Sequence, residues 1–420
     1  VGAKGIDWQL SLVDRCLIAG RASVFYAGTL LWPAKLSFIY PRWQSDSTAL
    51  WQCAFPTLVI TAIAALWGLR QYIGRGPLAG LLFFAGTLFP ALGFFDVYPM
   101  RFSFVADHFQ YVASIGVIVL VVASASVAAE RFFVSWPWLP KIAAGLIVAI
   151  LAVVTWHQGR IYEGLEVLWR DTLNKNPGAF LAHNNLGAIL NDRGDYEQAK
   201  KHLIQAVRIK PDFVDSVVNL AKTHEGLGDF AEAEVRYQQA TRINANFAPA
   251  FNGLGAVYGM TGRPELSEEN LRRALELDPR YAKAHSNLAT LLGVTGRTDE
   301  SIREFDIALR LDPTLTDTRA NYARVLMSQE QFDRAQSVLE ELVRMRPSDT
   351  STLLNLGVIA GNQERYLAAI EYFERVLRFD PTNVQANYNL GAMYEMIGEP
   401  DKSQFYFQNY ERLSGAAAAQ

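Results

Sequence analysis

Two hydrophobic patterns divide the chain near residue 160. Before it, apolar residues follow one another without a helical or strand period, and four stretches, 47–69, 76–95, 109–129 and 142–159, hold no Asp, Glu, Lys or Arg. A membrane-spanning helix needs about 20 such residues, so each stretch predicts a span, the last a little short. A fifth stretch, 22–34, lies between Arg21 and Lys35 and predicts either the end of a span or an interfacial segment. Trp51, Tyr72, Trp136, Trp138 and Trp156 fall near the predicted ends, where amphipathic rings favour the lipid–water boundary.

After residue 160 the pattern repeats every 34 residues. Leu-Gly or Leu-Ala pairs recur at Leu186-Gly187, Leu220-Ala221, Leu254-Gly255, Leu288-Ala289, Leu356-Gly357 and Leu390-Gly391, with Tyr322-Ala323 in the remaining slot. Pro211, Pro279, Pro313, Pro347 and Pro381 close most repeats, and Ala245 stands in the proline slot once. Each repeat reads as two helices joined at a turn glycine such as Gly194. This period and pattern are those of tetratricopeptide repeats, whose helix pairs bury their apolar faces by stacking on neighbours. The predicted fold is therefore all-α: a polytopic transmembrane helix bundle followed by a tetratricopeptide-repeat solenoid. The domains are expected at 1–160 (about four to five spans), 161–178 (a connecting half-repeat), 179–414 (about seven repeats) and 415–420 (a frayed tail).

Charge sharpens the division. Residues 1–160 carry 11 Lys or Arg against 6 Asp or Glu, and the rest of the chain carries 28 against 36. Neither half has the basic stripe of a nucleic-acid binder. Cys16 and Cys53 have no metal-ligand spacing and imply neither a zinc site nor a disulfide framework. No cofactor is called for. The chain opens at Val1, and the charges among its first residues exclude a signal peptide there. It reads as the carboxy-terminal portion of a longer protein. Among the short loops, Arg70 and Arg75, then Arg131 and Lys141, share one side, against Arg101 on the other. That asymmetry places the first side in the cytoplasm and the solenoid on the periplasmic or luminal side, although Lys35, Arg42 and Arg160 run against it.

Two groups of residues carry candidate chemistry. Arg101, Asp107 and His108 lie at the mouth of a predicted span, where ionisable groups are costly unless they pair or serve a ligand. They read either as donors to a lipid-linked phosphate, with Asp107 orienting His108, or as an interfacial loop paired with itself. Asn185, Asn219, Asn287, Asn321, Asn355 and Asn389 share one slot of the repeat, interrupted only by Gly253. The slot lies on the first helix of each repeat, the helix expected to line a concave face. A primary amide both donates and accepts, so a column of them suits the backbone of an extended polypeptide. The competing reading is that these amides cap or bridge neighbouring helices. His183 and His285 sit just ahead of the column in equivalent slots, with no metal-ligand geometry.

Three segments give the chain a family resemblance. Residues 26–43 run from Tyr26 through Trp32-Pro33, Lys35 and Tyr40-Pro41 to Arg42-Trp43. The run from Ala106 through Tyr111 and Ser114 to Gly116 follows an Ala-Glu-Arg-x-x-Tyr-x-Pro-Ser-x-Gly pattern, with Asp107 for Glu, His108 for Arg and Ala113 for Pro. The third holds Trp169, Asn176-Pro177, His183 and Asn185-Leu186-Gly187. Together they resemble the TMTC-type family, the transmembrane and tetratricopeptide-repeat O-mannosyltransferases of the GT-C class, and its bacterial relatives. The resemblance implies transfer of a sugar from a polyprenyl-phosphate carrier to a Ser or Thr hydroxyl, with the acceptor polypeptide held by the solenoid. It also implies an acidic base in a loop upstream of Val1. No acidic pair in 1–160 replaces it, so no catalytic residue is assigned in this chain. The rival expectation is a non-enzymatic membrane-anchored adaptor that uses the same groove.

Overall fold

The computed structural model describes residues 10–33, 36–46, 48–92, 94 and 103–418, with backbone alone for 107, 108 and 416–418. Among the described residues the regular elements are all helices and there is no strand. Contacts divide the chain into two compact bodies, Val1–Leu227 and Gly228–Gln420.

The first body opens with α1 (Leu12–Leu31), started by a capping box in which Ser11 and Asp14 exchange backbone and side-chain hydrogen bonds. α2 (Ala54–Ile73) and α3 (Gly76–Leu88) follow, then α4 (Tyr111–Phe132) and α5 (Leu139–Gly159). Three helical segments, Leu50–Ile73, Tyr111–Phe132 and Leu139–Glu163, are long and apolar enough to cross a membrane. The stretch expected to span at 76–95 is shorter than the sequence suggests. α3 ends at Leu88 and gives way to a 3-10 turn at Phe89–Ala91, because Pro90 has no amide hydrogen for the Gly86 carbonyl, which accepts from the Phe89 amide instead. Of the stretch at 22–34, residues 22–31 form the second half of α1, whose first half carries Asp14, Arg15 and Arg21.

Small residues set how closely these helices approach. A Cβ on Gly20 of α1 would lie 2.4 Å from the Pro56 nitrogen of α2, and one on Gly116 of α4 would lie 2.7 Å from the Gly80 carbonyl oxygen of α3. Such close crossings need glycine and are a common means of joining helices in lipid. Above them Tyr26, Tyr40, Leu88, Leu92 and Val105 close one end of the bundle. There the buried Tyr26 hydroxyl accepts from the Ala106 amide at 3.0 Å. Among the described residues none of α5 is fully buried, and between Lys141 and His157 the helix is almost wholly apolar.

A 3-10 turn leads from α5 to α6 (Leu165–Lys175), and the repeats start with α7 (Phe180–Asp192), α8 (Tyr196–Ile209) and α9 (Val214–Gly226). In the second body, α10 (Phe230–Ile243) precedes the pairs α11 (Ala248–Met260) and α12 (Pro264–Leu277), α13 (Ala282–Val294) and α14 (Thr298–Leu311), and α15 (Thr316–Ser328) and α16 (Phe332–Met345). α17 (Thr350–Asn362), α18 (Tyr366–Phe379), α19 (Val384–Met396) and α20 (Pro400–Ala418) complete it. The glycine of each Leu-Gly pair is where a large residue of the second helix presses in. A Cβ on Gly187 would meet Leu203 at 2.5 Å, one on Gly255 would meet Leu271 at 2.5 Å, and one on Gly357 would meet Phe373 at 2.4 Å. The turns between paired helices use left-handed backbone at Gly194, Gly228, Gly262, Gly296 and Gly398. In the same slot Glu330 and Glu364 adopt φ of 55° and 58°.

Candidate polypeptide-binding site and membrane junction

The asparagine slot lies on α7, α9, α13, α15, α17 and α19, and all six side chains are half-buried. Their amides are used differently. In the first body Asn219 Nδ2 donates to Asn184 Oδ1 of the preceding repeat at 3.1 Å, and the Ser216 hydroxyl donates to the same oxygen at 3.1 Å. Asn185 accepts from Asn184 Nδ2 at 3.0 Å. In the second body Asn287 Nδ2 donates to Asn252 Oδ1 at 2.9 Å, again reaching back one repeat. Asn321 accepts from Arg324. Asn389 Nδ2 is buried with no hydrogen-bond partner among the described residues. Bridging and unused amides therefore coexist in one slot.

The gap at Gly253 has a steric cause. A Cβ there would lie 2.2 Å from Cε1 of Tyr237 on α10. That ring, 1% exposed, occupies the space an asparagine would need. In the second body the slots three, six and seven residues after the column position hold only two charged residues, Arg324 and Glu395. Met260 and Val294 sit in those slots and are exposed. The face around the column is thus largely neutral.

The charges gather elsewhere. Arg263 reaches Glu234 of the preceding repeat at 2.7 Å, and Arg297, one repeat on, reaches Glu268 at 2.8 Å and Glu300 at 2.6 Å. Arg365 repeats the arrangement on Gln336. Sequence reading missed this ladder, although its signal was present: arginines 34 residues apart with partners 29 residues upstream.

Two equivalent histidines have different surroundings. His183 Nε2 faces the Pro177 carbonyl at 3.1 Å and its Nδ1 faces His202 Nδ1 at 3.1 Å. Burial lowers the pKa of both rings, and for His202 the neighbouring His183 and Arg170 lower it further. His285 Nε2 faces the Pro279 carbonyl at 3.1 Å, while its Nδ1 meets the Glu304 carboxylate at 2.5 Å. Among the described residues no group of His, Cys, Asp and Glu has the geometry to hold a metal.

Of the residues expected at a lipid phosphate, Arg101 lies outside the described residues. Asp107 and His108 share the 3-10 turn Asp107–Gln110 that opens α4, and their side chains are outside the description. The described acidic residues of the membrane half include Asp14, which caps α1, and Asp46, which accepts from the Thr48 amide at 2.9 Å and hydroxyl at 2.6 Å.

The loop after α1 docks on the start of the solenoid. Lys175 Nζ donates to the Leu36 carbonyl at 2.6 Å, Asn176 Nδ2 to the Ile39 carbonyl at 3.3 Å, and Gln158 Nε2 to the Leu36 carbonyl at 3.4 Å. Phe38 meets Trp169 edge to face at 5.4 Å. Ile39 completes a core with Trp169, Ala179, Ala182, Leu186 and Leu203. Since α5 ends here, the turn that joins α4 to α5, with Arg131 and Lys141 beside it, lies at the opposite end of α5.

Residues 265–387 match the family described as the cytochrome c-type biogenesis protein H TPR domain, and 190–257, 248–281 and 372–405 match tetratricopeptide-repeat families. The solenoid is a tetratricopeptide-repeat array, and the chain is TMTC-like. It is 26% identical over 151 residues to human Protein O-mannosyl-transferase TMTC3, an overlap covering 36% of this chain and 16% of that protein. With Drosophila melanogaster Protein O-mannosyl-transferase Tmtc3 it is 23% identical over 194 residues, 44% of this chain and 21% of the relative. The matched region thus spans less than a quarter of the length of these curated relatives. Among solved structures, pilF of Pseudomonas aeruginosa is similar at 21% identity and a TM-score of 0.43, over 48% of this chain and 91% of that one. The Cut9–Hcn1 complex is similar at 13% identity and a TM-score of 0.48, over 60% and 49%.

Proposed function

We propose that this chain is the membrane-anchored, acceptor-presenting part of a protein glycosyltransferase that draws its sugar from a polyprenyl-phosphate carrier. The observation that carries the reading is the junction. A solenoid suited to polypeptides is fastened, through Lys175, Asn176 and Trp169, to the loop that leaves α1. A polypeptide on the first repeats is thereby held beside the same end of the bundle as the turn that carries Asp107 and His108. In this reading Arg101 and His108 hold the donor phosphate, with Asp107 orienting His108, and the solenoid lies on the non-cytoplasmic side. The asparagine column holds the acceptor backbone, chiefly through amides that do not already bridge repeats, such as those of Asn355 and Asn389.

Binding of a fluorescein-labelled, Ser/Thr-rich unstructured peptide to the full chain in lipid nanodiscs tests the groove. Asn355→Ala combined with Asn389→Ala should weaken binding about tenfold, since each lost amide removes hydrogen bonds worth about 0.5–1.5 kcal/mol. Unchanged affinity would make the column structural.

One observation favours a second reading, a membrane-anchored adaptor without chemistry of its own. Asp14 and Asp46 are both committed to capping their local backbone, and a glycosyl-transfer base has to be free to accept the acceptor's proton. Sugar transfer by the native, membrane-extracted protein decides between them. Transfer that requires a polyprenyl-phosphate sugar supports the first reading, and peptide binding without transfer supports the second.

A further inference from the structure

A small cavity of about 220 Å³ opens between α13 and α15, lined by Thr290, Gly293, Val294, Phe305, Asn321 and Arg324 among others. Ligand sites for whole small molecules are larger, at roughly 300–1,000 Å³. This cavity is the size of a socket for one side chain. Its floor is Phe305, fully buried and stacked on Tyr322 at 5.3 Å, so the floor cannot yield. Its depth depends on Gly293, where a Cβ would press on Val325 at 3.0 Å. Val294 stands at the rim, 84% exposed, as an apolar surface awaiting cover. Arg324 stands at the other side, its guanidinium donating to the column residue Asn321. It makes no ion pair among the described residues. An arginine has five N–H donors in a rigid fork that matches a carboxylate, and most of these remain available here.

We propose that this part of the groove selects a polypeptide segment in which an apolar side chain fills the Phe305 socket and an adjacent Asp or Glu pairs with Arg324. The proposal rests on the polypeptide reading above and deepens it, because it names which segment is preferred. The largely neutral slots around the socket make Arg324 the dominant charge there, and charge complementarity calls for an acidic neighbour.

The test uses the full chain in nanodiscs and labelled octapeptides built on a Gly/Ser/Thr host with a central Leu-Glu, Ala-Glu or Leu-Lys pair. Leu-Glu should bind about 10- to 100-fold tighter than Ala-Glu, the range that a few methylenes contribute in an apolar pocket. Thr290→Phe, which fills the socket, should erase the difference between Leu and Ala. Arg324→Glu, at an exposed site where folding is not at risk, should reverse the ranking to favour Leu-Lys. If all three peptides bind alike and Arg324→Glu leaves the ranking unchanged, the socket is not a specificity site, while the polypeptide reading stands. If no peptide binds, both fall.

Discussion

Lys175 places its ammonium 2.6 Å from the carbonyl oxygen of Leu36, across 139 residues of chain. Asp171 holds the other side of that ammonium at 2.7 Å. The contact joins a loop of the membrane half to the half-repeat that starts the solenoid. Ile39 and Trp169 provide its apolar part.

Removing that apolar part should loosen the junction. Trp169→Ala is expected to destabilise the first body by about 3–5 kcal/mol, the usual cost of deleting a buried large aromatic. Asn176→Ala, which loses bonds to the Ile39 carbonyl and from the Gly178 amide, should cost about 1–2 kcal/mol. Hydrogen exchange of residues 36–46 should rise in both variants while that of α13–α18 stays constant. Unaltered exchange at 36–46 would mean that the loop is held by something else.

Completing the asparagine column should harm the protein. Gly253→Asn drives a side chain into Tyr237, and overpacking of this kind costs about 1–3 kcal/mol. The double variant Gly253→Asn with Tyr237→Leu should recover much of the loss. Thermal melts of the two variants beside the unaltered chain decide the matter, and a double variant no better than the single would refute the steric account.

The turn slot offers the opposite case. Glu330 and Glu364 hold left-handed backbone where other repeats use glycine, at roughly 1–2 kcal/mol per non-glycine residue. Glu330→Gly and Glu364→Gly should each raise stability by up to about 1 kcal/mol, after the entropy that glycine adds to the unfolded chain. Denaturant midpoints should move up with an unchanged slope.

Acid should weaken the first body before carboxylates titrate. Burial holds His183 and His202 below the ordinary value of 6.5. Below pH 6.5 the unfolded chain binds protons that the folded pair refuses, so stability falls from there down to the folded pKa. Well above pH 6.5 the pair contributes no slope. Melting at pH 7.5, 6.5 and 5.5 should show a larger loss in the lower step than in the upper one, and His202→Gln should reduce it.

Much of this architecture is legible along the chain. The first helices begin at Phe180, Val214, Ala248, Ala282, Thr316, Thr350 and Val384, each 34 residues after the last, in step with the repeat of the Leu-Gly pairs. That register survives because each repeat faces the same packing problem as its neighbours. The exceptions are not legible in the same way. Gly253 looks like a lapse in the column until Tyr237 is seen to occupy its place, because a column read down one helix slot omits the facing helix. The bridge from Asn219 to Asn184 and the bond from Lys175 to Leu36 depend on tertiary approach, which periodicity does not encode. The shortened α3 was open to reading, since Pro90 interrupts an otherwise uniform apolar run. The resemblance segments 26–43 and 169–187 were legible as pieces, but their contact with each other was not.

The glycine crossings within the membrane half bear on how it is made. Gly20 meets Pro56, joining α1 to α2, and Gly80 meets Gly116, joining α3 to α4. Each crossing unites helices adjacent in sequence, so each hairpin can close as soon as its second helix has emerged. The bond between the Tyr26 hydroxyl and the Ala106 amide ties α1 to the segment that precedes α4, so it needs only that segment and not α4 itself. The contacts of this half can thus be made in order of synthesis: α1 on α2, then the tyrosine on the approach to α4, then α4 on α3.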